Sequence, residues 1–370
     1  MTDIIQFTTV HARTDPRIRY KQATTLAELY PGRVALYVQD GLGDETDPSG
    51  LRVVDTGPIC KSRIKRILSG SWRMYRAVRS SKPKVAHFHD PELIVAGLFL
   101  QVSGIKVIYD IHEDVPKQIL CKIYVKPAWL RPLLARCVAA LERFAVGRFS
   151  MATPAVQSIA DRFPKDKTCV IRNVPKLELL TAHIGNEKPT DRFIVNYAGS
   201  LTLARGIGDL VAAMDLLPDG FELHLLGSWQ PQSILEECQN HPGWRRCTYF
   251  GHLPHSEVGA YLQQAHLGTQ MVHDMANYRG GLATKVFEYL ALGIPTLMSD
   301  TVERRATYGS LTEYAIPADP QAIADAILKI RDNYPLYVER VVNQRDHILE
   351  TYSWSSEAIR LENLYNRLLR

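Results

Sequence analysis

Apolar and polar positions alternate along this chain in short strand-like runs separated by longer stretches of helical spacing. In the first half, strands are predicted at 4–9, 33–38, 51–55, 84–89, 105–110, 149–153 and 168–171. Between residues 172 and 192 the periodicity fails, and Asn173, Pro175, Gly185, Asn186 and Pro189 punctuate the run as an interdomain linker does. A second alternation then predicts strands at 193–198, 222–226, 247–250, 267–271, 296–299 and 314–316. Strands alternating with helices in this way predict parallel, doubly wound sheets whose ligands gather beyond the carboxyl ends of the strands. The expected organisation is α/β: a Rossmann-like domain over 1–172, a linker over 173–191, and a second Rossmann-like domain over 192–352, the two facing a cleft. The closing segment, 353–370, places Trp354, Ile359, Leu361, Leu364, Tyr365 and Leu368 near helical spacing and is expected to cross back to the first domain.

Charge sharpens the division into halves. Residues 1–172 hold 27 Lys and Arg against 16 Asp and Glu, whereas 173–370 hold 17 against 23. A basic half joined to an acidic one predicts an anionic surface or substrate met by one domain only. The six cysteines form no C-x-x-C pair and no cluster with His at metal-ligand spacing, which suits a reduced, cytoplasmic protein. The first residues, MTDIIQFTTV, lack the charged and apolar regions of a signal peptide, and no run approaches the roughly 20 apolar residues that span a bilayer. Any membrane contact is therefore expected to be peripheral, at the inner face of the cytoplasmic membrane.

The stretch 277–300, NYRGGLATKVFEYLALGIPTLMSD, sets Gly280 and Gly281 before a short helical run carrying Lys285 and Glu288, three apart on one helix face. Backbone N–H groups freed by a glycine turn at a helix start suit phosphate, and a nearby lysine adds to that preference. A second turn, AGSLTLARG over 198–206, offers Gly199 and Ser200 for close approach to phosphate and Arg205 for bridging two of its oxygens. It matches neither the G-x-G-x-x-G fingerprint nor the P-loop. His112 follows a strand end in YDIHEDVP, beside Asp110, Glu113 and Asp114, where an imidazole can bind a sugar hydroxyl. The run HFHDPE, with His87, His89, Asp90 and Glu92, lacks partners at metal-ligand spacing, and no Asp-x-Asp occurs, so no metal and no cofactor is expected. Residues 61–84 contain nine basic and no acidic side chains, with Ile64, Ile67, Leu68, Trp72, Tyr75 and Val78 at helical spacing. This composition suits a helix lying on an anionic bilayer, with Lys65, Arg66, Trp72, Arg73 and Arg76 facing the membrane. A second basic stretch, 117–136, surrounds Trp129 and Leu130. No recognisable nucleic-acid module accompanies the basic and aromatic residues, so nucleic acid is not expected as a partner.

Taken together, TDPRI, FHDPEL, VIYDIHE, IRNVP, AGSLTLARG, KVFEYLALGIP and YSWSSEAIRLENLYNRLL resemble, in this order and spacing, the GT-B glycosyltransferases, most closely glycosyltransferase family 4. The resemblance covers nearly the whole chain. It implies a retaining transferase, metal-independent on the absence of Asp-x-Asp, whose second domain binds a nucleotide sugar, UDP favoured and GDP possible, while the first binds a glycan or lipid-linked acceptor. Glu288 matches the family glutamate at the nucleotide ribose, Arg205 the basic residue at the diphosphate, and Lys285 the lysine of the KxFEYLA form of the E-x7-E motif. His112 matches the histidine facing the transferred sugar, and Asp15 and Arg17 stand on the loop expected to approach the acceptor. Two departures matter. The glutamate that many members carry eight residues before the second is replaced by Gly280, leaving donor hydroxyls to groups near Gly281 and Leu282 or to Asn277 and Tyr278. Many members also place a basic residue where Ser200 stands. The expected role is in bacterial surface polysaccharide synthesis. The competing readings are a nucleotide-sugar 2-epimerase of GT-B fold and a catalytically silent nucleotide-sugar-binding subunit.

Overall fold

The computed structural model describes residues 2–60, 62–122, 125–177, 180, 188–253, 255–274 and 282–370. The chain divides into two compact units, residues 1–173 with 354–370, and residues 174–353.

The first unit is built on a seven-stranded sheet. Its strands are β1 (Ile4–Phe7), β2 (Val34–Val38), β3 (Glu45–Thr46), β4 (Arg52–Asp55), β5 (Val85–Phe88), β6 (Lys106–Ile111) and β7 (Met151–Pro154), in the order β3-β4-β2-β1-β5-β6-β7. All pairs are parallel except β3 with β4. Alternate residues of one strand feed two cores: Ile5 and Phe7 pack with Phe88, Tyr109 and Phe149, while Ile4 packs with Leu36, Ile108, Leu361 and Tyr365 on the other face.

The segment expected as a strand at 168–171 is not one. Cys169 N–H donates to Ala152 and Ile171 N–H to Pro154, but the pairing amounts to one isolated bridge, Ala152 with Thr168. Its apolar alternation serves side-chain burial at the sheet edge without a ladder.

The closing helix, Trp354–Leu369, belongs to this first unit. Its apolar stripe covers the face holding Ile4 and Leu36, and polar contacts fix its register. Trp354 Nε1 donates to Thr25 Oγ1 at 2.8 Å, Glu357 pairs with Arg172 at 2.6 Å, and Tyr365 Oη meets His87 Nδ1 at 2.8 Å.

The second unit has a six-stranded parallel sheet, β10-β9-β8-β11-β12-β13, from β8 (Phe193–Ala198), β9 (Phe221–Leu226), β10 (Cys247–Gly251), β11 (Leu267–Gln270), β12 (Thr296–Ser299) and β13 (Glu313–Ala315). Its core gathers Val195, Tyr197, Leu210, Leu223, Leu225 and Ile327, and a second cluster lies under the helix Thr284–Ala291 through Val286, Phe287 and Leu290. Among the described residues, no helix is long and apolar enough to cross a membrane.

Candidate functional site

In the second unit, Lys285 comes from a distant helix to the glycine turn that ends β8. Gly199 has φ +148°, in the region favouring glycine, and its N–H donates to Leu226 O at 2.7 Å. A Cβ there would fall 2.6 Å from Lys285 Cε and 3.0 Å from Nζ, so the lysine head lies directly over this turn. Arg205 ends a short 3-10 turn, Leu203–Arg205, whose start is capped by Thr202 through Arg205 N–H. Gly206 then adopts φ +71°, where a Cβ would meet Met271 O at 2.1 Å; no other residue type fits, and the helix Ile207–Leu216 starts from it. His273 N–H donates to Ala204 O at 2.9 Å, and its imidazole pairs with Asp209 at 2.5 Å, anchoring the turn on two sides.

Protein packs densely around Lys285 although part of its surface stays open. Burial lowers its pKa, Glu288 raises it in opposition, and the nearby Arg205 charge lowers it further. Glu288 is buried at 9% exposure on the same helix. The arrangement is thus one lysine over a tight glycine turn with the charges of an arginine and a carboxylate acting on it, a set suited to a diphosphate with a hydroxyl-bearing group beside it. Ser200 stands on the turn and accepts from Tyr197 Oη through its carbonyl. Leu282 packs against the Val286 and Phe287 cluster, and Ala283 N–H donates to Tyr308 Oη at 2.7 Å, which takes that N–H away from any ligand. Asn277, Tyr278, Gly280 and Gly281 lie outside the described residues.

In the first unit, polar residues collect just beyond the carboxyl ends of β1, β5 and β6. Asp110 is wholly buried and takes two hydrogen bonds from Arg17, at 2.9 and 2.7 Å. It also takes one each from Gln22 (3.2 Å) and Thr153 (3.0 Å), and faces His89 and His112 Nδ1 (3.2 Å each). Burial would push this carboxyl up, yet Arg17 and the two imidazoles hold it well below the usual range. Asp90, likewise buried, takes the Thr9 N–H and the hydroxyls of Thr8 and Thr9, and pairs with His11 Nδ1 at 2.8 Å.

His112 therefore stands at the rim of a built network. Asp15 instead caps a helix, accepting from Arg17 N–H and Ile18 N–H. Arg17 is 4% exposed and bound to Asp110 and to Ile171 O, so it forms the floor of the network and offers no open face to an acceptor. Sequence reasoning gave no role to His11, Gln22 or Thr153; the position of His11 in the loop after β1 was the available signal.

His87, His89 and Asp110 are the one trio of potential metal ligands among the described residues, their ligand atoms within 4.8 Å of one another. Both nitrogens of His87 are engaged, by Tyr365 Oη and Thr153 Oγ1, and His89 Nδ1 faces Asp110, leaving His89 Nε2 without a partner. Burial holds His87 well below its ordinary pKa, as a neutral hydrogen-bonded core residue.

Of the basic residues at 61–84, Lys65 and Arg76 are exposed, and Trp72 is 56% exposed, stacked on Tyr75 at 5.1 Å. Arg66 turns inward onto Glu92 at 2.8 Å, and Arg73 lies half-buried over Gly57. Lys61, Ile123 and Tyr124 lie outside the described residues.

Residues 192–333 match the family described as Glycosyl transferases group 1. Over 142 residues the chain is 28% identical to TuaC of Bacillus subtilis (strain 168), described as a teichuronic acid biosynthesis glycosyltransferase; the match covers 38% of this chain and 33%, about a third, of that relative's length. Among solved structures, sucrose-phosphate synthase from Thermosynechococcus elongatus superimposes with a TM-score of 0.80 at 17% identity, over 100% of this chain and 99% of the other. The Anabaena protein HepE, solved in complex with UDP and glucose, gives 0.74 at 11% identity, over 99% and 100% of the two chains. The chain thus has the GT-B fold of these glycosyltransferases, and its second unit carries the match to glycosyl transferases group 1.

Proposed function

We propose that this protein is a retaining, metal-independent glycosyltransferase of family 4. It transfers a sugar from a nucleoside diphosphate, UDP in preference to GDP, to a glycan or lipid-linked acceptor in bacterial surface polysaccharide synthesis. The observation that carries the reading is the Lys285 head lying over the Gly199 turn, with the charges of Arg205 and Glu288 close enough to act on it. The group 1 match over this unit and the UDP bound by HepE support the donor class.

In this reading Glu288 accepts hydrogen bonds from the ribose hydroxyls. Arg205 and Lys285 stabilise the charge that develops on the diphosphate as its bond to the sugar breaks, a contribution of several kcal/mol at such sites. The departing phosphate oxygen takes the acceptor's proton as the new glycosidic bond forms on the same face, so no protein nucleophile is needed. His112, at the rim of the first unit, meets the sugar. Peripheral attachment to the inner face of the cytoplasmic membrane is supported by exposed Ile64, Leu68 and Trp72 beside Lys65 and Arg76. Phe99, on the helix packed alongside with its ring 6.0 Å from Tyr75, extends the apolar surface.

The test is a thermal-shift screen against UDP- and GDP-sugars with EDTA present, followed by product analysis with and without acceptor. A bound donor raises stability by mass action. Stabilisation by a UDP-sugar in EDTA that disappears in Glu288→Ala, together with acceptor-dependent product of retained configuration, is the expected result. Conversion of the donor sugar without any acceptor would favour the epimerase reading instead.

A further inference from the structure

A second imidazole stands against His112. His11 Nε2 lies 3.2 Å from His112 Nε2, with the rings edge to face and their centroids 4.9 Å apart. The far nitrogen of each ring faces a carboxylate, His11 Nδ1 on Asp90 Oδ1 at 2.8 Å and His112 Nδ1 on Asp110 Oδ2 at 3.2 Å. Both carboxylates are ionised acceptors: Asp110 receives the Arg17 guanidinium, and Asp90 receives a backbone N–H and two hydroxyls. Each Nδ1 therefore carries its hydrogen, and in neutral rings each Nε2 would then be a bare lone pair. Two lone pairs aimed at each other at this distance repel, whereas one proton between them makes the contact a hydrogen bond.

We propose that His11 is a positioning residue for His112, the two rings sharing a single proton between their Nε2 atoms, so that the pair carries one positive charge at neutral pH. The surroundings support a retained cation. Asp90 is hydrogen-bonded to His11, the charges of Asp15 and Glu113 act on it from nearby, and Asp110 faces His112; against them stand the charge of His89 near His112 and Arg17 behind Asp110. Burial alone would lower the pKa of His11, but its hydrogen bond to Asp90 and the surrounding carboxylates raise it. The side chains keep 23% and 16% of their surface exposed, enough for the shared proton to exchange with solvent. The chemical consequence is a fixed cation at the rim of the sheet, with His112 held in one ring orientation from both ends. This role deepens the proposed reaction and rests on the reading in which His112 meets substrate; the proton sharing itself does not.

The experiment uses the full chain labelled with 15N-histidine and no donor, following the ring nitrogens by long-range 1H–15N correlation as pH rises. A shared proton gives two coupled steps separated by roughly one pH unit or more, with Nε2 signals of both rings intermediate between protonated and free. In His112→Gln the remaining His11 imidazole should lose its proton at lower pH than the pair does, and in His11→Gln the intermediate Nε2 signal of His112 should disappear. If each ring titrates alone, at a midpoint unmoved by replacing the other, the proposal fails. Glutamine retains hydrogen-bonding capacity, and an unaltered spectrum outside this rim certifies the fold of each variant. With acceptor present, His11→Gln should shift the alkaline limb of kcat/KM towards acid while leaving donor affinity unchanged. Coupled titration in a wild-type protein that transfers no sugar would leave the pair standing and remove the glycosyltransferase reading.

Discussion

Replacing Asp110 by asparagine tests the network beneath His112 most directly. The carboxylate is wholly buried and receives Arg17 through two nearly parallel hydrogen bonds, while Gln22 and Thr153 donate to the same oxygen. Asparagine keeps the shape but leaves the Arg17 guanidinium, itself 4% exposed, without its countercharge. Breaking a buried pair from one side costs about 3–5 kcal/mol. In a body of this size each kcal/mol shifts the melting temperature by roughly 2–4 °C, so the first unit should melt about 6–20 °C lower. The pH dependence has a fixed sign. The unfolded carboxyl titrates at about 3.9, and the folded one is held well below, so the contribution is complete above that value and lost as pH falls towards the folded pKa. Calorimetry, with hydrogen exchange of peptides covering β6 to locate the effect, gives the measurement. Arg17→Leu with Asp110→Leu should be less damaging than the sum of the single changes, because it removes both charges together. A melting temperature lowered by less than about 2 °C in Asp110→Asn, or strict additivity in the cycle, would refute the account.

Four further outcomes are expected. Lys285→Met should lower kcat by roughly 10²- to 10³-fold in a transfer assay, by analogy with the loss of one charge-stabilising donor; an unchanged kcat would take the lysine out of the chemistry. His266 accepts the Ile194 N–H at 3.0 Å, and burial with the nearby Lys188 charge pushes its pKa down to about 4. The unfolded imidazole binds its proton first, so the second unit should lose stability as pH falls from about 6.5 towards 4, and a phenylalanine at 266 should flatten that slope in pH-dependent denaturation curves. For the membrane, Lys65→Glu and Arg76→Glu should each weaken sedimentation with anionic vesicles, since a basic residue at the surface contributes about 1 kcal/mol, roughly fivefold. Arg66→Glu should have a separate effect on stability through Glu92. Equal binding by the Lys65 and Arg76 variants and the native protein would remove the membrane surface from the reading.

The sequence by itself determined the parallel strands of the two sheets, though not the short antiparallel β3, because burial on both faces of a strand writes a local apolar signal that needs no knowledge of partners. It also determined that Lys285 and Glu288 share a helix face, and that a glycine turn with Arg205 ends β8, since spacing and turn chemistry are local. Where local and long-range demands diverged, only the tertiary structure decided. The apolar segment at 168–171 lacks a ladder because it meets β7 at one bridge. Arg17 and Arg66 read as available cations in sequence, yet Asp110 and Glu92, brought from distant strands and turns, draw both inward. The contact of Lys285 with the Gly199 turn, and of His11 with His112, follows from strand order: β8 lies beside β11 and β12 follows it, while β1 and β6 flank β5. Periodicity tells which residues reach the carboxyl edge of a sheet. Which of them stand within hydrogen-bond distance there depends on the order in which the strands are laid side by side, a property of the folded sheet and not of any one run of sequence.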